Sequence, residues 1–310
     1  MKRARLIYNP VAGKRMAAPK LDTIINHLQA HNWQVLPYRT TGAEDTESFG
    51  KLLQEPYLDA AIVAGGDGTL HHVVNALIGG NFDLPLGIIP VGTANDFAVH
   101  IGLPSDIEAC CQVICQGNRM QVDVGWVNGT YFINTASAGL MAEIPYKTDV
   151  TLKNVLGKMA YYLKGIEELP NFSPIKVGFV SANGAYKQEV LLFIVMNGAA
   201  AGGFTNIAPK ASIMDGLLDV IVVKPCHIGQ LFSLLLKLIK GELVNDPRVE
   251  YFQTSELRVT CTPPVLTDLD GELGPEFPLE FKLLPGKLTV LTPKLNLDSS
   301  RRTMSRGELF

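Results

Sequence analysis

Two hydrophobic rhythms alternate along roughly the first 120 residues. Short apolar runs at residues 5–8, 33–38, 60–64 and 86–89 have the length and density of buried strands. Between them, Leu21, Ile24, Ile25 and Leu28, and later Leu70, Val73, Val74, Leu77 and Ile78, recur at helical spacing. Residues 107–115 add one more helix. Strands alternating with helices predict a mainly parallel sheet, with ligands held beyond the carboxyl ends of its strands.

The pattern changes near Asp123. Residues 124–127 and 130–134 flank Asn128-Gly129, the strongest short hairpin signal, and residues 177–181 and 185–190 flank Asn183-Gly184. Strand-like runs follow at 191–196, 218–223, 257–262, 279–284 and 288–291, with helical insertions near 155–168 and 228–240. The expected architecture is α/β. An N-terminal parallel-sheet domain (1–122) precedes a C-terminal, largely antiparallel β-rich domain (123–286). A polar tail from residue 296 to 310 is expected to be disordered.

Composition narrows the function. A chain of 310 residues with 47% hydrophobic and 18% charged residues has core enough for about two domains. A net charge of −3 and no dense basic cluster argue against a nucleic-acid partner. The five cysteines form no CxxC pair and read as reduced thiols of a cytoplasmic protein. The N-terminal apolar run is too short for a signal-peptide core. The 228–239 stretch, interrupted by Gln230 and Lys237, falls short of the roughly 20 residues that span a bilayer. Any lipid contact is therefore peripheral, and the 228–240 helix is the candidate docking face.

Three loops follow predicted strands and should share one sheet edge. Gly65-Gly-Asp-Gly-Thr69 leaves bare backbone where a strand hands over to a helix, a place that suits phosphate, with Asp67 able to meet the accompanying metal. A tight Asx-turn is the plainer reading of the same residues. The loop from Asn9 to Lys14 offers a flexible glycine and a cation, or merely a strand exit with a solvated lysine. The loop from Gly92 to Asp96 offers the Thr93 hydroxyl with Asn95 and Asp96, which could equally be an N-cap. Downstream, Asp268-Leu-Asp-Gly-Glu272 packs three carboxylates around a glycine. Phosphoryl transfer to an alcohol benefits from a carboxylate that accepts the hydroxyl proton, although acidic glycine turns are often only solvated. Asp215, in a second acidic glycine turn, could hold Mg²⁺ with nearby carbonyls. Walker A, GxGxxG, GxSxG and HExxH patterns are all absent. The six histidines suggest no zinc chemistry, and His71 and His72 read best as helix-surface residues.

In this order, Asn9-Pro-Val-Ala-Gly13, Gly65-Gly-Asp-Gly-Thr69, Gly92-Thr-Ala-Asn-Asp-Phe-Ala98, Met214-Asp-Gly-Leu-Leu-Asp219 and Asp270-Gly-Glu272 resemble the soluble bacterial lipid kinases of the diacylglycerol kinase catalytic-domain family. The resemblance runs from about Leu6 to Pro293. It implies ATP and Mg²⁺ in a cleft between an N-terminal nucleotide-binding α/β domain (1–122) and a C-terminal β-sandwich-like domain (123–286), with residues 287–295 returning to the first. It also implies nucleotide contacts from Asn9, Lys14, Thr40, Gly65, Gly66, Asp67, Gly68, Thr69 and Thr93, with Asp96 supporting the network. Asp67 would assist the catalytic Mg²⁺ and Glu272 would be the general base. Asp215 and the carbonyls of Ser212 and Leu217 would hold a structural Mg²⁺. The implied partner is a lipid at the membrane surface, with diacylglycerol the first expectation, and a homodimer is compatible with it. The family usually has Asn-Glu where this chain has His71-His72, and often Arg where it has Val99. An NAD kinase, which shares the glycine loop, and a catalytically silent nucleotide or lipid sensor are the competing readings.

Overall fold

The apolar runs of the first half lie side by side as parallel strands. The computed structural model describes residues 1–13, 18–42, 46–140, 173–204 and 206–294. The first half contains β1 (Lys2–Tyr8), α1 (Leu21–Ala30), β2 (Trp33–Arg39), α2 (Thr46–Leu53), β3 (Ala60–Gly65), α3 (Asp67–Gly79), β4 (Leu86–Pro90), α4 (Asp96–His100) and α5 (Ile107–Gln116). The chain continues through β5 (Arg119–Val127), β6 (Thr130–Phe132), β7 (Thr135–Gly139), β8 (Ile175–Ser181), β9 (Gly184–Val190), β10 (Leu192–Met196) and β11 (Leu218–Val223). After α6 (Ile228–Ile239) come β12 (Val249–Thr254), β13 (Glu256–Thr262), β14 (Thr267–Leu269), β15 (Glu272–Leu273) and β16 (Leu279–Leu291).

Two sheets result. The larger has ten strands in the order β2-β1-β3-β4-β16-β13-β8-β9, with β5 on β16 and β6 on β5. Strands β2, β1, β3 and β4 are mutually parallel. The second sheet, β12-β11-β10-β7-β14-β15, is antiparallel throughout.

Burial explains the pattern. Every residue of β3 is buried because helices cover both faces of the parallel part. One core takes Ile24 and Leu28 of α1 with Cys110 and Ile114 of α5; the core on the other face takes Phe49, Leu53, Val73, Leu77 and Phe97. Strands β10 and β11 are also buried on both sides. Phe193, Val195, Val220 and Val222 pack toward the large sheet with Phe179 and Phe281, while Leu192, Ile194, Ile221 and Val223 pack toward α6 with Leu234. Their unbroken apolar sequence is the consequence of two dry faces.

The structure departs from the expected elements in a few places. Residues 279–284 and 288–291 form one strand, β16, whose register against β5 shifts between Leu284 and Leu288. Pro285-Gly286 is therefore a bulge within one strand: Gly286 takes a positive φ of 59° and its N–H donates to Asp123 Oδ1 at 2.8 Å. At the second hairpin Ser181 pairs with Gly184, so the turn residues are Ala182 and Asn183, one position earlier than expected. The hairpin at Asn128-Gly129 has both residues at positive φ, as a type I′ turn requires. Helices α2 and α4 and strands β7, β12, β14 and β15 were not among the expected elements; all are eight residues or shorter. The expected helix at 155–168 and the tail from 296 lie outside the described residues.

Candidate active site

The three loops do share one edge of the sheet, beyond the carboxyl ends of β1, β3 and β4, and their glycines let them touch. A Cβ on Gly92 would lie 2.5 Å from the Gly66 Cα, so the second and third loops pack backbone against backbone. At Gly13, with φ of 54°, a Cβ would lie 2.3 Å from the Val91 carbonyl oxygen. Asn9 ties its loop to the first turn of α3 by donating from Nδ2 to Thr69 Oγ1 at 3.1 Å. The buried Thr40 ends β2 beside them, its N–H donating to the Tyr8 carbonyl. Lys14 lies outside the described residues.

Helix α3 begins at Asp67 with Gly66 as its N-cap and no side-chain cap, which leaves its first-turn amides for an external anion. Asn95 sits at the N-cap position of α4 in the left-handed region, yet its side chain caps nothing. It turns back to bracket Gly92, accepting from the Gly92 N–H at 2.9 Å and donating to the Gly92 carbonyl at 3.0 Å. The Asn95 N–H donates to Asp67 Oδ2 at 2.9 Å. Asp96 is buried, and its Oδ1 accepts from the Gly203 N–H at 2.8 Å. The third loop thus holds Asp67 in place instead of merely starting a helix.

The acidic turn after β14 meets these loops from the other sheet. A Cβ on Gly68 would lie 2.8 Å from Glu272 Oε1, so the Glu272 carboxylate rests directly on the first turn of α3. Asp270, at φ of 52°, fixes the turn. It accepts from the N–H groups of Ile133, Asn134 and Thr135, each at 2.9 Å, and its own N–H donates to the Thr135 carbonyl.

His71 corrects the sequence expectation: it is buried, 5% exposed, with Nδ1 3.2 Å from Asp270 Oδ2. Asn75, one turn on, donates to the His71 and Tyr131 carbonyls and accepts from the Tyr131 N–H. His72, half-buried, packs its ring toward Phe49. The place where the chain departs from the family pattern therefore carries a contact of its own, joining α3 to the turn that positions Glu272.

Electrostatics set the chemistry. Burial, then the Asp96 charge, pushes Asp67 up to about 6, and its Oδ1 is buried without a hydrogen-bond partner. Burial and the neighbouring carboxylates Asp270 and Glu272 push Asp268 up to about 7, and its Oδ2 is likewise buried and unpartnered. Burial pulls His71 down, but the Asp270 hydrogen bond and charge, with Glu272 and Asp268 behind, leave it above the ordinary imidazole range. Asp67 Oδ1 and Asp268 Oδ2 are each a buried carboxylate oxygen left without a partner, the kind of atom that a hard divalent cation takes as a ligand.

One cavity of about 410 Å³ gathers Asp67, Gly68, Thr93, Asp96, Asp268, Asp270 and Glu272 at one end. Its other end is apolar, walled by Leu192, Ile194, Ile221 and Val223 of the second sheet and by Leu231, Leu234 and Leu238 of α6. Ser212, Asp215 and Leu217 are not on its wall. They form a separate turn in which the Leu217 N–H donates to Asp215 Oδ1 at 3.0 Å and the Gly216 N–H to Asp123 Oδ2 at 2.8 Å. Asp215 is exposed; partial burial, with the Asp123 charge also raising it, outweighs its backbone hydrogen bonds and lifts it above the usual carboxylate range. The sequence reading named Asp268 and Asp270 as members of a carboxylate cluster without giving either a role of its own, and it placed His71 on the helix surface; the histidine's partner was not visible there.

Residues 3–127 match the family described as diacylglycerol kinase catalytic domain, and residues 134–292 match the YegS C-terminal NAD kinase β sandwich-like domain. A diacylglycerol kinase of Bacillus subtilis is 35% identical over 295 residues, covering 95% of this chain and 97% of its own length. One from Staphylococcus carnosus is 34% identical, covering 94% and 96%. A solved diacylglycerol kinase structure from Bacillus anthracis superposes with a TM-score of 0.77 at 28% identity, covering 94% of this chain and 98% of that one. The chain belongs to the diacylglycerol kinase catalytic-domain family, a family of lipid kinases.

Proposed function

We infer that this chain transfers the γ-phosphate of ATP to the hydroxyl of diacylglycerol or a closely related lipid. The observation that carries the reading is the single cavity with carboxylates at one end and an apolar wall at the other. A phosphate acceptor with a polar hydroxyl and a long hydrocarbon body fits such a space. The nicotinamide dinucleotide of an NAD kinase has no hydrocarbon for the far wall.

The glycine-rich edge formed by Gly65, Gly66, Gly68, Thr69 and Thr93 is assigned to the nucleotide phosphates, with Asn9, Thr40 and Asp96 supporting it. Mg²⁺, when bound, would neutralise phosphate charge that these carboxylates would otherwise repel. Asp67 Oδ1 and Asp268 Oδ2, both buried and without a partner, would be the atoms that hold it. Asp215 and the carbonyls of Ser212 and Leu217 are assigned to a second, structural Mg²⁺. Glu272 accepts the proton of the lipid hydroxyl as that oxygen attacks phosphorus. Its seat against Gly68 brings base and nucleotide loop together.

Helix α6 would place the cavity at a membrane surface. Its inner face lines the cavity, while Phe232, Leu236 and Ile239 are 40–46% exposed on the outside. No helix among the described residues is long and apolar enough to cross a membrane. The test offers γ-labelled ATP and Mg²⁺ with diacylglycerol in mixed micelles, and in parallel with NAD. Label in the lipid and none in NADP is expected; label in NADP alone would replace this reading with the NAD kinase one, and nucleotide binding without turnover with the sensor.

A further inference from the structure

At the opposite edge of the large sheet, far from the nucleotide loops, a second group of chemically capable side chains comes together. His27 and His31 lie four residues apart on one face of α1 and its C-terminal cap, and Cys115 reaches them from the last turn of α5. The place is fixed by the start of β1, whose Lys2 N–H donates to the carbonyl of Asn32 just beyond α1. A ring nitrogen of each histidine and the Cys115 Sγ all lie within 4.8 Å of one another. The two imidazoles stack, 4.7 Å between centroids and 18° between planes.

Two details point to a ligand. The Nε2 atom of His27 is buried and has no hydrogen-bond partner, an expensive arrangement for a polar atom. The Nδ1 atom of His31 is held 2.8 Å from the His27 carbonyl oxygen. Donating one ring N–H to a backbone carbonyl is how metal-bound imidazoles are oriented, because it leaves the other nitrogen as a lone-pair donor.

We propose that His27, His31 and Cys115 form a binding site for a soft divalent cation of the zinc class, clamping α1 to α5. Imidazole nitrogen and thiolate sulfur are the ligand types that zinc takes, and a water would complete the tetrahedron. Bond lengths of roughly 2.0–2.3 Å place tetrahedral ligands about 3.3–3.8 Å apart. Small rotations of the exposed His31 and half-buried Cys115 therefore close the site. The thiol gives up its proton to solvent on binding, and no redox step is involved. The position, at the end of the sheet away from Asp67 and Glu272, makes the site independent of the kinase reaction.

Full-length protein stripped of metal is titrated with Zn²⁺ by calorimetry and thermal unfolding, with Mg²⁺ as control. One zinc per chain is expected, with a rise of roughly 3–8 °C in Tm at saturation and no comparable effect of Mg²⁺. Cys115→Ser and His31→Ala should each weaken zinc by more than ~100-fold, since even outer-shell partners are worth about 10–100-fold. Both side chains are partly or fully exposed, so the variants retain the fold. Co²⁺ should give a thiolate-to-metal charge-transfer band that disappears in Cys115→Ser and persists in Cys226→Ser. No zinc uptake, or uptake unchanged in either ligand variant, overturns the proposal.

Discussion

Asp67 holds one carboxylate oxygen on the Asn95 amide and leaves the other buried with no protein partner. In the metal-free protein that arrangement costs stability, because burial and the Asp96 charge lift the group to about 6 from an ordinary 3.8. The sign follows from linkage. The folded state binds this proton more tightly than the unfolded one, so the contribution of Asp67 is most favourable below about pH 3.8 and declines as pH rises through about 6. Asp67→Asn keeps the Asn95 contact and removes the charge. It should stabilise the metal-free protein by about 1–3 kcal/mol above pH 6, with little effect below pH 4, while abolishing turnover. Urea denaturation at the two pH values measures this, and equal effects at both would contradict the burial argument.

His71 follows the same sign over a higher pH window. Its folded-state affinity for a proton is raised above the ordinary 6.5, so its contribution is complete below that pH and is lost as pH climbs above it. His71→Gln should flatten the fall in stability between pH 6 and 9, read by denaturation of both proteins; parallel curves would sink the idea. Asp67 was legible in the sequence because its glycine neighbours advertise a phosphate turn. The His71–Asp270 contact was not, since its partners stand 199 residues apart and a histidine on an amphipathic helix gives no local sign of burial.

Among the elements, the parallel strands and their covering helices were readable because each carries a full apolar stripe. Helix α2, with only Phe49 and Leu53 fully buried, was too short to show a period. Residues 279–284 and 288–291 read as two separate strands; only pairing with β5 across the register shift shows them to be one strand with a bulge at Pro285-Gly286. Helix α6 was legible as a helix and as a candidate docking face, but its place on the cavity wall was not. Apolar residues on the cavity side and on the solvent side look alike in sequence. Its outward residues should matter only at an interface. Replacing Phe232, Leu236 and Ile239 together with Ser should cut activity on vesicle-borne diacylglycerol by at least ~10-fold through lost membrane partitioning. Activity on a short-chain soluble analogue should stay near wild type. Vesicle sedimentation beside both assays decides it; equal loss on the two substrates would place the defect in the cavity instead.

At the scale of the molecule, the last strand makes the site. Strand β16 pairs antiparallel with β5 and β13 and reaches β4 in parallel at Val290 and Leu86, so one sheet runs from the nucleotide loops into the β-rich half. The second sheet then delivers its acidic turn to α3, where Asp270 and His71 hold it and Glu272 meets Gly68. The sequence suggested both halves of this site and, by resemblance, their meeting in a cleft. The fold supplies the contacts by which they meet. The central claim is that these halves act together on a lipid hydroxyl. The most direct measurement is transfer of label from γ-labelled ATP to diacylglycerol by wild type and by Glu272→Gln at equal protein and Mg²⁺. Labelled phosphatidic acid from wild type is predicted, with a loss of about 10²–10⁴-fold in the variant at unchanged ATP binding. Equal labelling by both proteins would contradict the assignment of Glu272, and no lipid labelling by wild type would contradict the claim itself.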